Sequence, residues 1–198
     1  MVDSPYSGFG RYPLKYAALG LLVPGPKHGY GLYQDFIEWF GSIWKAGQTK
    51  FYLTLASLQD EGYLNVTTEP QENRPARKVY HLTDIGYETF LEWLHQPVDS
   101  MRSVRVEFIA KLRFFDRLKL PGAVALIDAQ IAVLRDMLGE WERASGARAA
   151  DPFKALVDGF RTRQARFMIE WLEAARPHFE AADGGPIDPH PLPGGATM

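Results

Sequence analysis

The chain has 198 residues, 46% of them hydrophobic and 23% charged, with a formal net charge of −2 and no cysteine. Such values fit one or two modest globular domains, and the lack of cysteine excludes disulfides, thiolate metal sites and thiol redox chemistry. No run of about 18 apolar residues offers a membrane span. The opening MVDSPYSGFGRYP has neither the charged nor the apolar region of a secretory signal, so a cytoplasmic protein without membrane contact is expected.

Residues 1–12 are small, polar and glycine-bearing and read as a flexible arm. From Pro13, apolar residues fall at Leu14, Ala17, Ala18, Leu21 and Leu22. That is the spacing of one helix face, and Val23-Pro24-Gly25-Pro26 ends it, because proline cannot continue a helix. A second helix follows, with Tyr30, Tyr33, Ile37 and Phe40 on one face and Gly41 as its stop. A third runs from about Thr49, a candidate cap, to Glu61, with Phe51, Leu55 and Leu58 as its stripe and Gly62 as the left-handed cap.

Two short alternating runs come next, Leu64–Thr68 and Lys78–Leu82, joined by the charged, turn-forming EPQENRPAR. They predict a β-hairpin with a long tip. Thr83 caps a fourth helix bearing Tyr87, Phe90, Leu91 and Leu94. Three helices, a two-stranded wing and a helix make a winged helix-turn-helix domain over 13–96. In such domains the third helix enters the major groove and the wing lies against the flanking backbone.

Beyond Pro97 long helices are expected. Residues 101–117 align Met101, Val104, Phe108, Leu112 and Phe115. A further helix begins at Pro121, and Val124, Ile127, Ile131, Leu134, Leu138 and Trp141 recur in steps of three and four, a heptad seam suited to another helix. Packing within one chain would use the same pattern. A last helix runs from Asp151-Pro152 to about Arg176, with Phe153, Leu156, Phe160, Phe167 and Trp171 as its stripe. Residues 97–180 read as a helical dimerisation domain and 181–198 as a disordered tail, since 183–198 hold four glycines and four prolines. The fold class is mainly α with a small β-hairpin.

Candidate DNA contacts fall in three places. GPKHGYGLYQDF (25–36) turns sharply into a helix, and the unpaired amides near Lys27, His28 and Tyr30 suit a phosphate. A nucleotide-binding loop is the alternative; it needs a preceding strand and a glycine-rich nucleotide pattern, whereas here the preceding segment is helical and no such pattern occurs. Lys45, Gln48, Thr49 and Lys50 cluster at the start of the third helix, where glutamine pairs with adenine and lysine with guanine; Tyr52 adds a phosphate or base contact. The wing carries Asn73, Arg74, Arg77 and Lys78, suited to phosphate or the minor groove. Lys15 and Arg11 are further backbone candidates. Against this, residues 1–96 hold 8 Lys+Arg and 10 Asp+Glu, so binding must rest on a local patch. Two copies on a palindrome would double the phosphate contacts. A solvated helix start and a soluble charged turn are the plain alternatives for these clusters. No nucleophile, metal or cofactor constellation is present, and neither an enzyme nor a cofactor is expected.

GPKHGYGLYQDF resembles the GP-x-HGYE-L signature of the PadR family of bacterial transcriptional regulators, through Gly25, Pro26, His28, Gly29, Tyr30 and Leu32; Gly31 stands where an acid is usual. KFYLTLASLQDEGYL resembles the family's recognition-helix segment through Tyr52, Leu55, Leu58, Glu61 and Gly62, although the preceding AGQTKF departs from its usual serine-glycine-threonine-leucine run. NRPARKVYHLTDIGYE resembles its wing return through Arg74, Pro75, Arg77, Lys78, Tyr80, Leu82, Thr83 and Gly86. The C-terminal half looks like the larger-domain branch of the family. The resemblance implies a homodimeric repressor of double-stranded DNA released by a small aromatic ligand. It would place that effector around Trp39, Trp44, Trp93 and Phe108, where plain aromatic core is the other reading. A winged-helix module that binds protein and no DNA is the alternative function, favoured by the negative balance of residues 1–96.

Overall fold

A computed structural model describes residues 13–71, 74–145 and 151–183, with side chains at 71–75, 144–150 and 181–183 left aside. The arm at 1–12, most of the tail, Asn73 and the Arg74 side chain lie outside that description. The chain forms two compact units, Met1–Leu118 and Lys119–Met198.

In the first unit, α1 (Leu14–Gly20), β1 (Lys27–His28), α2 (Gly29–Phe40) and α3 (Gln48–Asp60) precede β2 (Leu64–Gln71), β3 (Arg74–Leu82) and α4 (Asp84–His95). Leu14, Ala17, Ala18, Leu21 and Leu22 are buried as their spacing predicts, and so are Phe51, Leu55 and Leu58. Gly62 takes a φ of +79° after α3, and Thr83 Oγ1 accepts the Gly86 N–H at 3.1 Å, capping α4.

Several local readings are corrected. The inward residues of α2 are Leu32, Phe36 and Phe40, while Tyr30 and Ile37 are exposed. Both Phe36 and Ile37 fit a helical period; facing Phe51 and Trp44 selects the ring. The N-cap of α3 is Gly47, not Thr49, and no side chain caps it. The hairpin strands are longer than predicted, so most of EPQENRPAR pairs instead of looping. The sheet also has three strands, in the order β1-β3-β2. Lys27 and His28 pair with Tyr80 and Val79; two residues are too short to show a periodicity.

The helices between Pro97 and Leu118 cluster with this first unit, whereas a boundary was expected after residue 96. Here α5 (Met101–Ser103) runs through a π-helical turn (Val104–Phe108) into α6 (Ile109–Leu118). Phe114 of α6 sits with ring centroids 5.1 Å from Phe40 and 5.0 Å from Phe90. The winged domain's own core is thus completed by a helix that its sequence position assigned elsewhere.

The second unit is a pair of helices, α7 (Ala123–Ser145) and α8 (Pro152–Asp183). They run antiparallel: Asp128, Arg135 and Glu142 pair with Arg176, Glu173 and Arg166 in turn. The packed side of α8 is Ala165, Met168, Ile169, Leu172 and Phe179; of the predicted stripe, Phe153, Leu156, Phe160 and Phe167 are exposed and Trp171 is half-buried. The helix also continues past Pro177 to Asp183, so the ends expected at Arg176 for the helix and at 181 for the tail are both too early. Burial of Phe179 beyond the proline accounts for the extension.

Candidate nucleic-acid interface

The start of α2 is built by His28. Its backbone is extended (φ −74°, ψ 152°) and its Nδ1 accepts the Gly31 N–H at 2.9 Å. One of the helix's unpaired donors is thereby satisfied by the protein itself. A Cβ on Gly31 would lie 3.0 Å from the His28 ring, so glycine leaves room for this cap. Lys27 is ion-paired with Asp35 at the surface. Lys15 is likewise engaged, by Glu61 at 2.8 Å and over the Tyr63 ring.

Gly29 has a different job. A Cβ there would meet Tyr52 at 2.7 Å and Tyr80 at 3.2 Å, so only glycine lets α2 begin this close to α3 and β3. The result is an open cleft of about 640 Å³ in which His28, Tyr30, Tyr52, Arg77 and Lys78 come together with Ala56 and Tyr80. Five of the eleven residues expected to touch DNA therefore share one cavity. Burial, and then the neighbouring Tyr52, push the Tyr80 phenol above its usual pKa, so it stays a neutral hydroxyl.

The Arg77 guanidinium meets Glu69 across the wing at 2.8 Å, with both side chains about half exposed. An exposed pair of this kind is worth about 0–1 kcal/mol, little enough for a phosphate to displace the carboxylate. Lys45, Lys50 and Lys78 are exposed and have no ion-pair partner among the described residues. Gln48, Thr49 and Lys50 are exposed in the first turn of α3, outside the cleft lining. Three lining residues, Gly29, Ala56 and Tyr80, were not among the candidates; for Ala56 the i, i+4 relation to Tyr52 on one helix was the available signal.

The aromatic candidates for an effector site are packed shut. Trp44, Trp93 and Phe108 are buried, and Trp93 donates from Nε1 to Glu107 at 2.7 Å. Trp39 is half-buried, with the Arg117 guanidinium 5.0 Å above its ring and Phe114 6.0 Å away. Three of these four rings thus belong to the core of the first unit, and Trp39 keeps part of its surface open. Beside it Lys111 is 1% exposed; its ammonium donates to Gln96 O at 2.6 Å and lies 3.5 Å from Glu107. Burial, against the pull of Glu107, lowers its pKa to about 8.

In the second unit the heptad seam is partly spent inside the chain. Ile127, Ile131 and Leu134 are buried with α8 already in place; Val124, Leu138 and Trp141 are half-buried. The exposed apolar positions are Phe153, Leu156, Val157, Phe160 and Phe167 of α8. Half of the seam therefore faces α8 of the same chain, while Val124, Leu138 and Trp141 keep part of their surface open. Among the described residues no helix is long and apolar enough to cross a membrane, and no three His, Asp or Glu gather as metal ligands.

Comparison with known proteins agrees with the wing, the helix start and the motif order. Residues 18–92 match the model of the "Transcriptional regulator PadR-like family". The "Negative transcriptional regulator PadR" of Bacillus subtilis is 32% identical over 173 residues, spanning 81% of this chain and 94% of that protein. "Probable transcriptional regulator Rv1176c" of Mycobacterium tuberculosis is 30% identical over 179 residues, with the same coverage. Crystal structures of the Bacillus protein align over 84% of this chain: 29% identity and a TM-score of 0.41 in complex with operator DNA, covering 99% of that chain, and 28% and 0.38 with p-coumaric acid, covering 98%. An alignment at 32% identity over most of both chains with the Bacillus regulator, on top of the family match over residues 18–92, settles the affiliation: the chain belongs to the PadR-like family of transcriptional regulators.

Proposed function

We propose that this protein is a cytoplasmic, sequence-specific double-stranded DNA-binding repressor, not an enzyme, and that it works as a homodimer on a palindromic operator. The observation that carries the reading is the convergence of Tyr30, Tyr52, Arg77 and Lys78 on one open cleft between helix start and wing, with Lys50 exposed in the first turn of α3 and Lys45 exposed in the loop before it. Wing and cleft hold phosphates and set the register; Gln48 and Lys50 reach base edges. Two half-sites demand two recognition helices, and the exposed apolar residues of α8 are the face on which the second copy docks. Release follows when a small aromatic acid, of the kind that the Bacillus relative binds, favours a spacing of the two α3 helices that no longer fits the operator.

Fluorescence anisotropy with DNA from upstream of the protein's own gene tests this. Eight cations per dimer, Lys45, Lys50, Arg77 and Lys78 of each copy, predict an affinity loss of roughly 10³–10⁵ between about 50 and 200 mM salt. Lys50→Ala with Arg77→Ala should abolish the preference over random DNA, and p-coumaric acid should lower binding. The second reading, a protein-interaction module, draws on the −2 balance of residues 1–96. It requires no binding to any duplex at low salt and a protein partner retained at high salt.

A further inference from the structure

The outward face of α3 is not polar throughout. Thr49, Leu53 and Ala56 follow each other at four and three residues, so they share one side of the helix, opposite Phe51, Leu55 and Leu58 in the core. All three are exposed, Leu53 at 66%. Together they present a narrow strip of methyl groups. Its surroundings are cationic or hydrogen-bonding: Gln48 and Lys50 at its start, and Arg77 and Lys78 across the cleft that Ala56 lines. Thr54, beside the strip, turns its hydroxyl back to the Lys50 carbonyl at 3.0 Å, so it offers no competing polar contact.

We infer that this strip is a thymine reader, with Leu53 as its centre. The inference rests on the DNA-binding reading above. Among the base edges of the major groove only thymine carries a methyl group, and apolar side chains select it where hydrogen-bonding side chains cannot. One large side chain flanked by two small ones matches the size of single C5-methyl groups and is too narrow for the apolar centre of a protein interface. The exposed Lys45 and Lys50, just before and within the first turn of α3, supply the charge that a duplex complements. Gln48 and Lys50 then read adenine or guanine at the helix tip, and Leu53 reads thymine one turn further in.

The test is a substitution series in the operator duplex, read by anisotropy at fixed salt. Each thymine is replaced in turn by deoxyuridine, which removes only the C5-methyl. The expected result is a weakening of roughly four-fold at one or two positions per half-site, the worth of one buried methyl, and roughly sixteen-fold when both half-sites are changed. Leu53→Ala, at an exposed position that leaves the core intact, should bind thymine and uracil duplexes equally. Salt-sensitive operator binding with no thymine position affected by uracil would overturn the inference and leave the DNA reading standing; so would discrimination that persists undiminished in Leu53→Ala. Absence of binding to every duplex, measured first with unmodified DNA, overturns both.

Discussion

Two groups of aromatic rings in the first unit look alike in composition and differ in company. Around Phe114 the rings of Trp39, Phe40, Phe90 and Trp93 pack at centroid separations of 5.0–6.2 Å, and Tyr16 stacks on Trp93 at 4.8 Å. In the cleft, Tyr30, Tyr52 and Tyr80 stand with His28, Arg77 and Lys78 around open space. The first group is mostly tryptophan and phenylalanine, which gain by leaving water. The second is all tyrosine, whose hydroxyl prefers a wet or charged neighbour. Ring count alone does not separate a binding surface from a core; the polarity of the ring and the charge beside it do.

The contrast is sharpest in stability. Phe114→Ala should cost about 3–5 kcal/mol, read as a shift in the denaturation midpoint of the first unit. A change under about 1 kcal/mol would mean that the cluster is loosely packed and can open to a ligand after all. Lys111 offers a second lever on the same core. Its folded pKa of about 8 lies below the 10.5 usual for lysine, so between those values the unfolded chain binds more protons and stability rises with pH. Below pH 8 both states carry the charge and its burial cost is felt in full. From pH 7 to about pH 9.5 the wild type should gain on the order of 2 kcal/mol over Lys111→Met. An equal pH response in both proteins would place the ammonium in water.

Phe160 of α8 extends the comparison to the second unit, where aromatic rings are exposed on the outer side of a helix. Phe160→Glu should raise the dimer dissociation constant at least about ten-fold, the effect of some 1.4 kcal/mol, with helix content unchanged; sedimentation at several concentrations measures it. An unaltered dimer would remove α8 as the docking face. The smallest stability effect is expected at Tyr30, 61% exposed. Tyr30→Ala should stay within about 0.5 kcal/mol in stability while weakening operator binding about five-fold, the value of one hydrogen bond of about 1 kcal/mol. Loss of stability without loss of binding would assign Tyr30 to the core and reverse the comparison.

Local chemistry was enough for much of this molecule. Proline and glycine placed the turn before α2, the wing's return strand announced itself by alternation, Thr83 by its capping position, and three ordered motifs by their spacing. His28, Tyr30, Tyr52, Arg77 and Lys78 stood out as residues, because charge and hydroxyl groups near helix starts and hairpins are visible in one dimension. Their convergence was not, since it depends on Gly29 meeting Tyr52 and on a two-residue strand finding β3. Nor could a heptad say whether its partner lay in the same chain or another: the period of Ile127, Ile131 and Leu134 is identical in both cases. The same limit hid the fate of the Phe153–Phe167 stripe and the role of Phe114. Periodicity tells which residues share a face of one helix. Which surface covers that face is a property of three dimensions, decided by the packing of segments far apart in the chain.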